Sequence, residues 1–169
     1  DVRRDLCPAD CGVIAAGHAA GIALLAAERH GLAFRDWILV APTWRGPFPT
    51  MAGRRSRAFP VLRALVDAPL VGPLLYRFNT AKGVLAWMSR RHVDVAGQGL
   101  TPEGIAARQR ISRQPGARFA SAAFVTGGLD PFTNADGWLQ VARSLSASLT
   151  VVIADHSPPK SLAQMQTLA

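Results

Sequence analysis

Three short stretches hold the side chains that could do chemistry. Asp130 stands in Gly127-Gly128-Leu129-Asp130-Pro131, and His156 in Asp155-His156-Ser157-Pro158-Pro159. His18 lies inside Gly17-His18-Ala19-Ala20-Gly21. An acid and a histidine are the raw material of general acid–base catalysis. A covalent route needs a nucleophile too, and the Gly17–Gly21 stretch contains no Ser, Thr or Cys. Cys7 and Cys11 form a C-x-x-x-C pair, but no second pair completes the four ligands of a structural zinc site. They read as reduced thiols of a cytoplasmic protein, and neither a metal nor any other cofactor is implied.

The elements that must position these groups can be read from the spacing of apolar residues and turn formers. Gly12 to Ala16 reads as a short buried strand, and Gly21 to His30 as a helix closed by Gly31. Trp37 to Ala41 is a continuous apolar run of the kind found in parallel strands. Strand, helix and strand in this order make one βαβ unit. Pro42 to Thr50 carries three prolines and reads as a loop leaving the strand's C-terminal end, where α/β sheets bind ligands.

From about Met51 to Val95 the pattern turns helical. Leu62, Leu65 and Val66 form one apolar face, and Leu74, Leu75, Phe78, Val84, Leu85, Trp87 and Met88 a longer one. Thr101 and Pro102 open a further helix as N-cap and first helical residue, and it ends before Pro115. Phe119 to Thr126 is predicted as a third strand, Asn134 to Ser146 as a helix, and Leu149 to Ala154 as a fourth strand. A last helix, capped by Ser157, runs to Leu168. Residues 1–11 read as the tail of a helix ended by Pro8.

Gly17-His18-Ala19-Ala20-Gly21 resembles the G-H-S-x-G nucleophile elbow of the α/β-hydrolase family, with alanine where the nucleophile belongs. The order elbow, helical insertion, G-G-x-D-P turn and strand followed by histidine resembles the back half of that family's pattern over essentially the whole chain. The fold class it implies is α/β: a parallel sheet with flanking helices, incomplete on its N-terminal side. Residues 1–169 would form one partial domain, with 46–99 as a helical lid insertion. Carried over by position, Ala19 takes the nucleophile's place, Asp130 that of the acid and His156 that of the base. The backbone N–H of Ala20 would be an oxyanion donor.

Each residue also has a plainer reading. Asp130 suits a simple turn former, His156 a loop histidine, and His18 a packing residue of the elbow. The resemblance leaves three functional readings open. The protein is a hydrolase-fold member without ordinary hydrolysis, acting as a binding module. Or it keeps a His156–Asp130 dyad as a general base for cofactor-free chemistry or hydrolysis. Or its function belongs to a longer chain of which this is a part. The apolar lid residues point to a small apolar ligand, touched by His18, Trp44, Phe78 and Trp87.

Composition excludes other classes. An apolar fraction of 49% in 169 residues marks a globular chain. No apolar run reaches the roughly 18 residues of a membrane span. The net charge of +8 is spread over scattered arginines without interleaved aromatics, so it reads as a solvated basic surface and not a nucleic-acid site. A sheet lacking its first strands would leave an open edge through which copies of the chain could associate.

Overall fold

In the computed structural model, residues 11–92, 101–155, 157 and 159–169 are described. They form two compact units, one of the described residues from 11 to 54 and from 129 to 169, and the other of those from 55 to 128.

The first unit is built on a parallel sheet of three strands, β1 (Val13–Ala16), β2 (Asp36–Val40) and β3 (Ser148–Val152), in that spatial order. Its register aligns Ile14 with Ile38 and Ile38 with Thr150. Helix α1 (His18–His30) makes the crossover from β1 to β2, and Gly31 ends it in the left-handed conformation. A short helix α2 (Pro47–Ala52) follows the loop after β2.

The core lies between one sheet face and the helices. It joins Leu24 and Ala27 of α1 with Trp37 and Leu39 of β2. Side chains alternate across a strand, so the opposite face carries Ile14, Ile38, Val40 and Val152, and Ile14 is 75% exposed there. The flanking helices of this unit therefore bury one face of the sheet.

The second unit is wholly helical among the described residues. It contains α3 (Ala58–Asp67), α4 (Val71–Asn79), α5 (Lys82–His92), α6 (Pro102–Ser112) and α7 (Ala117–Val125). Helices α3 and α4 meet at a bend of 101°. Tyr76 Oη and Ser121 Oγ lie 3.1 Å apart and tie α4 to α7. Thr101 caps α6, its hydroxyl accepting from Gly104 N at 3.2 Å. Among the described residues no single helix is long and apolar enough to cross a membrane.

The remaining helices, α8 (Ala135–Arg143) and α9 (Pro159–Leu168), belong to the sheet unit. Asn134 caps α8, accepting from Gly137 N at 2.8 Å. The amphipathic α8 buries Trp138, Leu139, Val141 and Ala142.

Two sequence expectations need correcting. Phe119 to Thr126 is not a strand: residues Ala117–Val125 are helix α7. Its alanines, among the best helix formers, outweigh the two phenylalanines, and Ala122 and Ala123 are the pair it buries. Among the described residues the sheet thus has three strands and not four, and Asp130 follows a helix instead of a strand. Second, α1 starts at His18 and not at Gly21, because Gly17 alone makes the turn. The expected helical insertion at 46–99 spans parts of both units, with α2 in the sheet unit and the described residues from 55 to 92 in the helical one.

Candidate functional site

The C-terminal edge of the sheet brings three chain segments together. The first is the turn from β1 into α1. Gly17 sits there at φ 56°, ψ −128°, a conformation that costs an L side chain about 1–3 kcal/mol. Its N–H donates to Val40 O at 2.8 Å, and its carbonyl accepts from Thr43 N at 3.0 Å. A Cβ placed on Gly17 would meet no atom within 4 Å, so the turn faces open space.

The second segment is the loop after β2. Ala41 stands at φ 45°, the one non-glycine residue with positive φ among those described, and its N–H donates to Val152 O at 2.8 Å. Thr43 Oγ1 donates to Arg45 O at 3.0 Å, which tightens the loop. The Arg45 guanidinium lies 4.3 Å from the centre of the Trp44 ring.

The third segment is Leu129-Asp130-Pro131. His18 Nε2 donates to Leu129 O at 3.0 Å, and Asp130 Oδ1 accepts from Gly46 N at 2.7 Å. Gly21 completes the junction. A Cβ there would come within 2.9 Å of Pro131 Cγ and 3.4 Å of Trp44 Cα, so only glycine lets α1 lie this close to both segments. Elsewhere in the unit, Lys160 Nζ donates to Met51 O at 2.7 Å and fastens α9 to α2.

The structure gathers His18, Ala19, Ala20, Trp44 and Asp130 at one edge, in arrangements that differ from those expected. Ala19 lies within the first turn of α1, and the residue that takes the positive-φ turn is Gly17. The Ala20 N–H donates to Gly17 O at 3.2 Å, closing that first turn, so it is not presented to an oxyanion. Trp44 is 3% exposed and part of the hydrophobic core, not a wall open to ligand. Its indole N–H is buried without an acceptor among the described residues.

Phe78 and Trp87 belong to the helical unit, where they are 75% and 51% exposed. His156 lies outside the described residues, as does Cys7. Among the described residues, no three His, Cys, Asp or Glu side chains are placed to hold a metal ion.

Sequence reasoning spread the turn over Gly17–Gly21 and missed that Gly17 alone takes the positive-φ conformation. Asp155 is exposed just beyond β3.

No family model matches the sequence, and no curated protein matches it. Two solved structures do match in part. The haloalkane dehalogenase DatA from Agrobacterium tumefaciens C58, an α/β-hydrolase, is 18% identical with a TM-score of 0.39, over 93% of this chain and 43% of that one. A single-substitution mutant of the same dehalogenase gives 19% identity and a TM-score of 0.35 over the same shares. The chain thus spans less than half the length of the structures it matches. With both TM-scores below 0.5, the chemistry of this chain is read from its own residues.

Proposed function

We propose that the chain forms part of an α/β-hydrolase-like domain that binds a small apolar molecule at the C-terminal edge of its sheet and forms no covalent intermediate with it. The observation that carries this reading is Gly17. At an elbow the residue on the sharp strand-to-helix turn presents the nucleophile. Here that residue has φ 56° and no side chain, with open space where a Cβ would be. Reading the apex as Gly17 instead of Ala19 leads to the same chemistry, since neither can attack a carbonyl.

Asp130 acts as a clamp in this reading. Its carboxylate oxygen holds Gly46 N–H at 2.7 Å, and His18 anchors Leu129 in the same way. The two bonds fix the loop beside the open apex.

The test is incubation with short-chain aryl esters, followed by intact-mass spectrometry and a hydrolysis assay, for wild type and for Gly17→Ser and Ala19→Ser. Wild type is expected to give no acyl adduct and no hydrolysis above buffer, while tryptophan fluorescence titrates with the corresponding phenol. An acyl adduct, or turnover abolished by His156→Ala, refutes the reading and favours the general-base alternative. In that alternative Asp155, next to His156 in the chain, is the better-placed acid, because Asp130 Oδ1 is engaged by Gly46.

A further inference from the structure

The helical unit contains a cavity of about 550 Å3 that the reading above does not use. It lies between the second half of α4, the turn from α6 into α7, and the first turn of α7. Three arginines line it: Arg77 from α4, Arg113 at the end of α6 and Arg118 in α7. Among the described residues, no acidic side chain lines it. Tyr76 and Ser112 lie on its wall, and Phe119 supplies an aromatic surface.

We propose that this cavity is a binding site for a phosphorylated small molecule. Three guanidinium groups around one space repel each other, and among the described residues none of the three has an ion-pair partner. Arg118 is already oriented. Its Cζ stands 4.4 Å from the centre of the Phe119 ring, and Nη2 donates to Asp67 O at 3.4 Å. Arginine presents its N–H groups as a planar fork matched to carboxylate and phosphate oxygens.

A single carboxylate occupies one such fork. Three forks on one cavity call for an anion with more oxygens and more than one negative charge, which a phosphate monoester or a diphosphate supplies. Helix α7 begins at Ala117, so its positive end faces the same space and adds to the attraction. The volume falls within the 300–1,000 Å3 range of small-molecule sites. It exceeds what inorganic phosphate needs, and Phe119 and Pro73 offer apolar wall for an organic group. The class is therefore a phosphorylated metabolite with an apolar or aromatic body, or the phosphate headgroup of a lipid.

The probes are inorganic phosphate, inorganic pyrophosphate and phenyl phosphate, titrated calorimetrically into the 169-residue chain at low ionic strength. Saturable binding at one site is expected, with phenyl phosphate tighter than inorganic phosphate. The double variant Arg77→Gln/Arg113→Gln should weaken binding at least tenfold. Both side chains are exposed, so an unchanged melting temperature shows that the fold is kept. Arg113→Lys, which keeps the charge and loses the fork, should fall between.

A charge-matched control, Arg29→Gln/Arg143→Gln, lies in the other unit and should leave affinity unchanged. Sedimentation with phosphatidic acid vesicles separates the two sources. Vesicle binding displaced by pyrophosphate assigns the headgroup, and no vesicle binding assigns the soluble metabolite. The proposal is overturned if no saturable binding occurs, or if both double variants weaken it equally, which would make the attraction a diffuse effect of net charge.

Discussion

Replacing Asp130 distinguishes a loop clamp from a catalytic acid. Asp130 Oδ1 accepts from Gly46 N at 2.7 Å in a part-buried setting, and Gly46 is the residue from which α2 starts. Hydrogen bonds to charged groups contribute about 1.5–3 kcal/mol net. Asp130→Ala removes the acceptor and leaves a part-buried N–H unmet, so a loss of about 2 kcal/mol is expected. For a chain of this length each kcal/mol moves the melting temperature by roughly 2–4 °C, giving a fall of about 4–8 °C. Asp130→Asn keeps an oxygen in place and loses only the charge; neutral bonds are about half as strong, so about 1 kcal/mol is lost. The assay is thermal unfolding followed by circular dichroism at neutral pH, with the order wild type, Asn, Ala. Two outcomes refute the clamp. One is an Ala variant melting within about 1 °C of wild type. The other is an Asn variant with unchanged melting but altered ligand binding or turnover, which would put the carboxylate on the ligand instead of the loop.

Four further outcomes are expected. Gly21→Ala should lose about 1–3 kcal/mol by overpacking, since its Cβ would fall 2.9 Å from Pro131 Cγ; adding Pro131→Ala should recover part of that loss, and a strictly additive double variant would refute the contact. Trp44→Phe deletes buried ring volume along with an N–H that has no protein acceptor, so a large-to-small core loss of about 1–3 kcal/mol is expected; chemical denaturation showing no loss would count against Trp44 as a core residue. Ala41→Gly relieves a positive φ of 45° that costs alanine about 1–2 kcal/mol; its melting temperature should match or exceed wild type, and a fall of more than about 3 °C would count against strain there. Strand β1 pairs only with β2 among the described residues, and Ile14 is exposed beside it, so sedimentation velocity should show concentration-dependent self-association that Ile14→Glu reduces; a monomer at every concentration would refute association through this edge.

What the sequence made legible was mostly local. The two runs Trp37–Ala41 and Leu149–Ala154 are apolar and bounded by turn formers, and both contain strands. Thr101 and Asn134 were readable as helix starts because a cap bonds within its own first turn, three residues away. Phe119–Thr126 misled because its phenylalanines and valine are strand formers, while helix propensity and the burial of Ala122 and Ala123 decided the outcome. The site was less legible, since its decisive bonds span long separations: Asp130 to Gly46 and His18 to Leu129. No spacing rule reveals that the acid of a familiar turn is engaged by a backbone N–H far away in the chain. The shift of the apex from Ala19 to Gly17 was hidden for a different reason, because either end of a Gly-flanked motif can make the turn.

Positive φ at two neighbouring strand ends gives the edge its character. Gly17 at φ 56° follows β1, where glycine adopts it freely, and Ala41 at φ 45° follows β2, where alanine is strained. Both are held by bonds to the next strand, Gly17 N–H to Val40 O and Ala41 N–H to Val152 O, each 2.8 Å. Neither residue has a side chain that can react. What these turns position is backbone. They bring Gly17 O to Thr43 N and turn the 41–46 loop back over α1, where Trp44 enters the core and Gly46 meets Asp130. The absence of a reactive side chain at both of these turns is what the proposed non-covalent binding rests on.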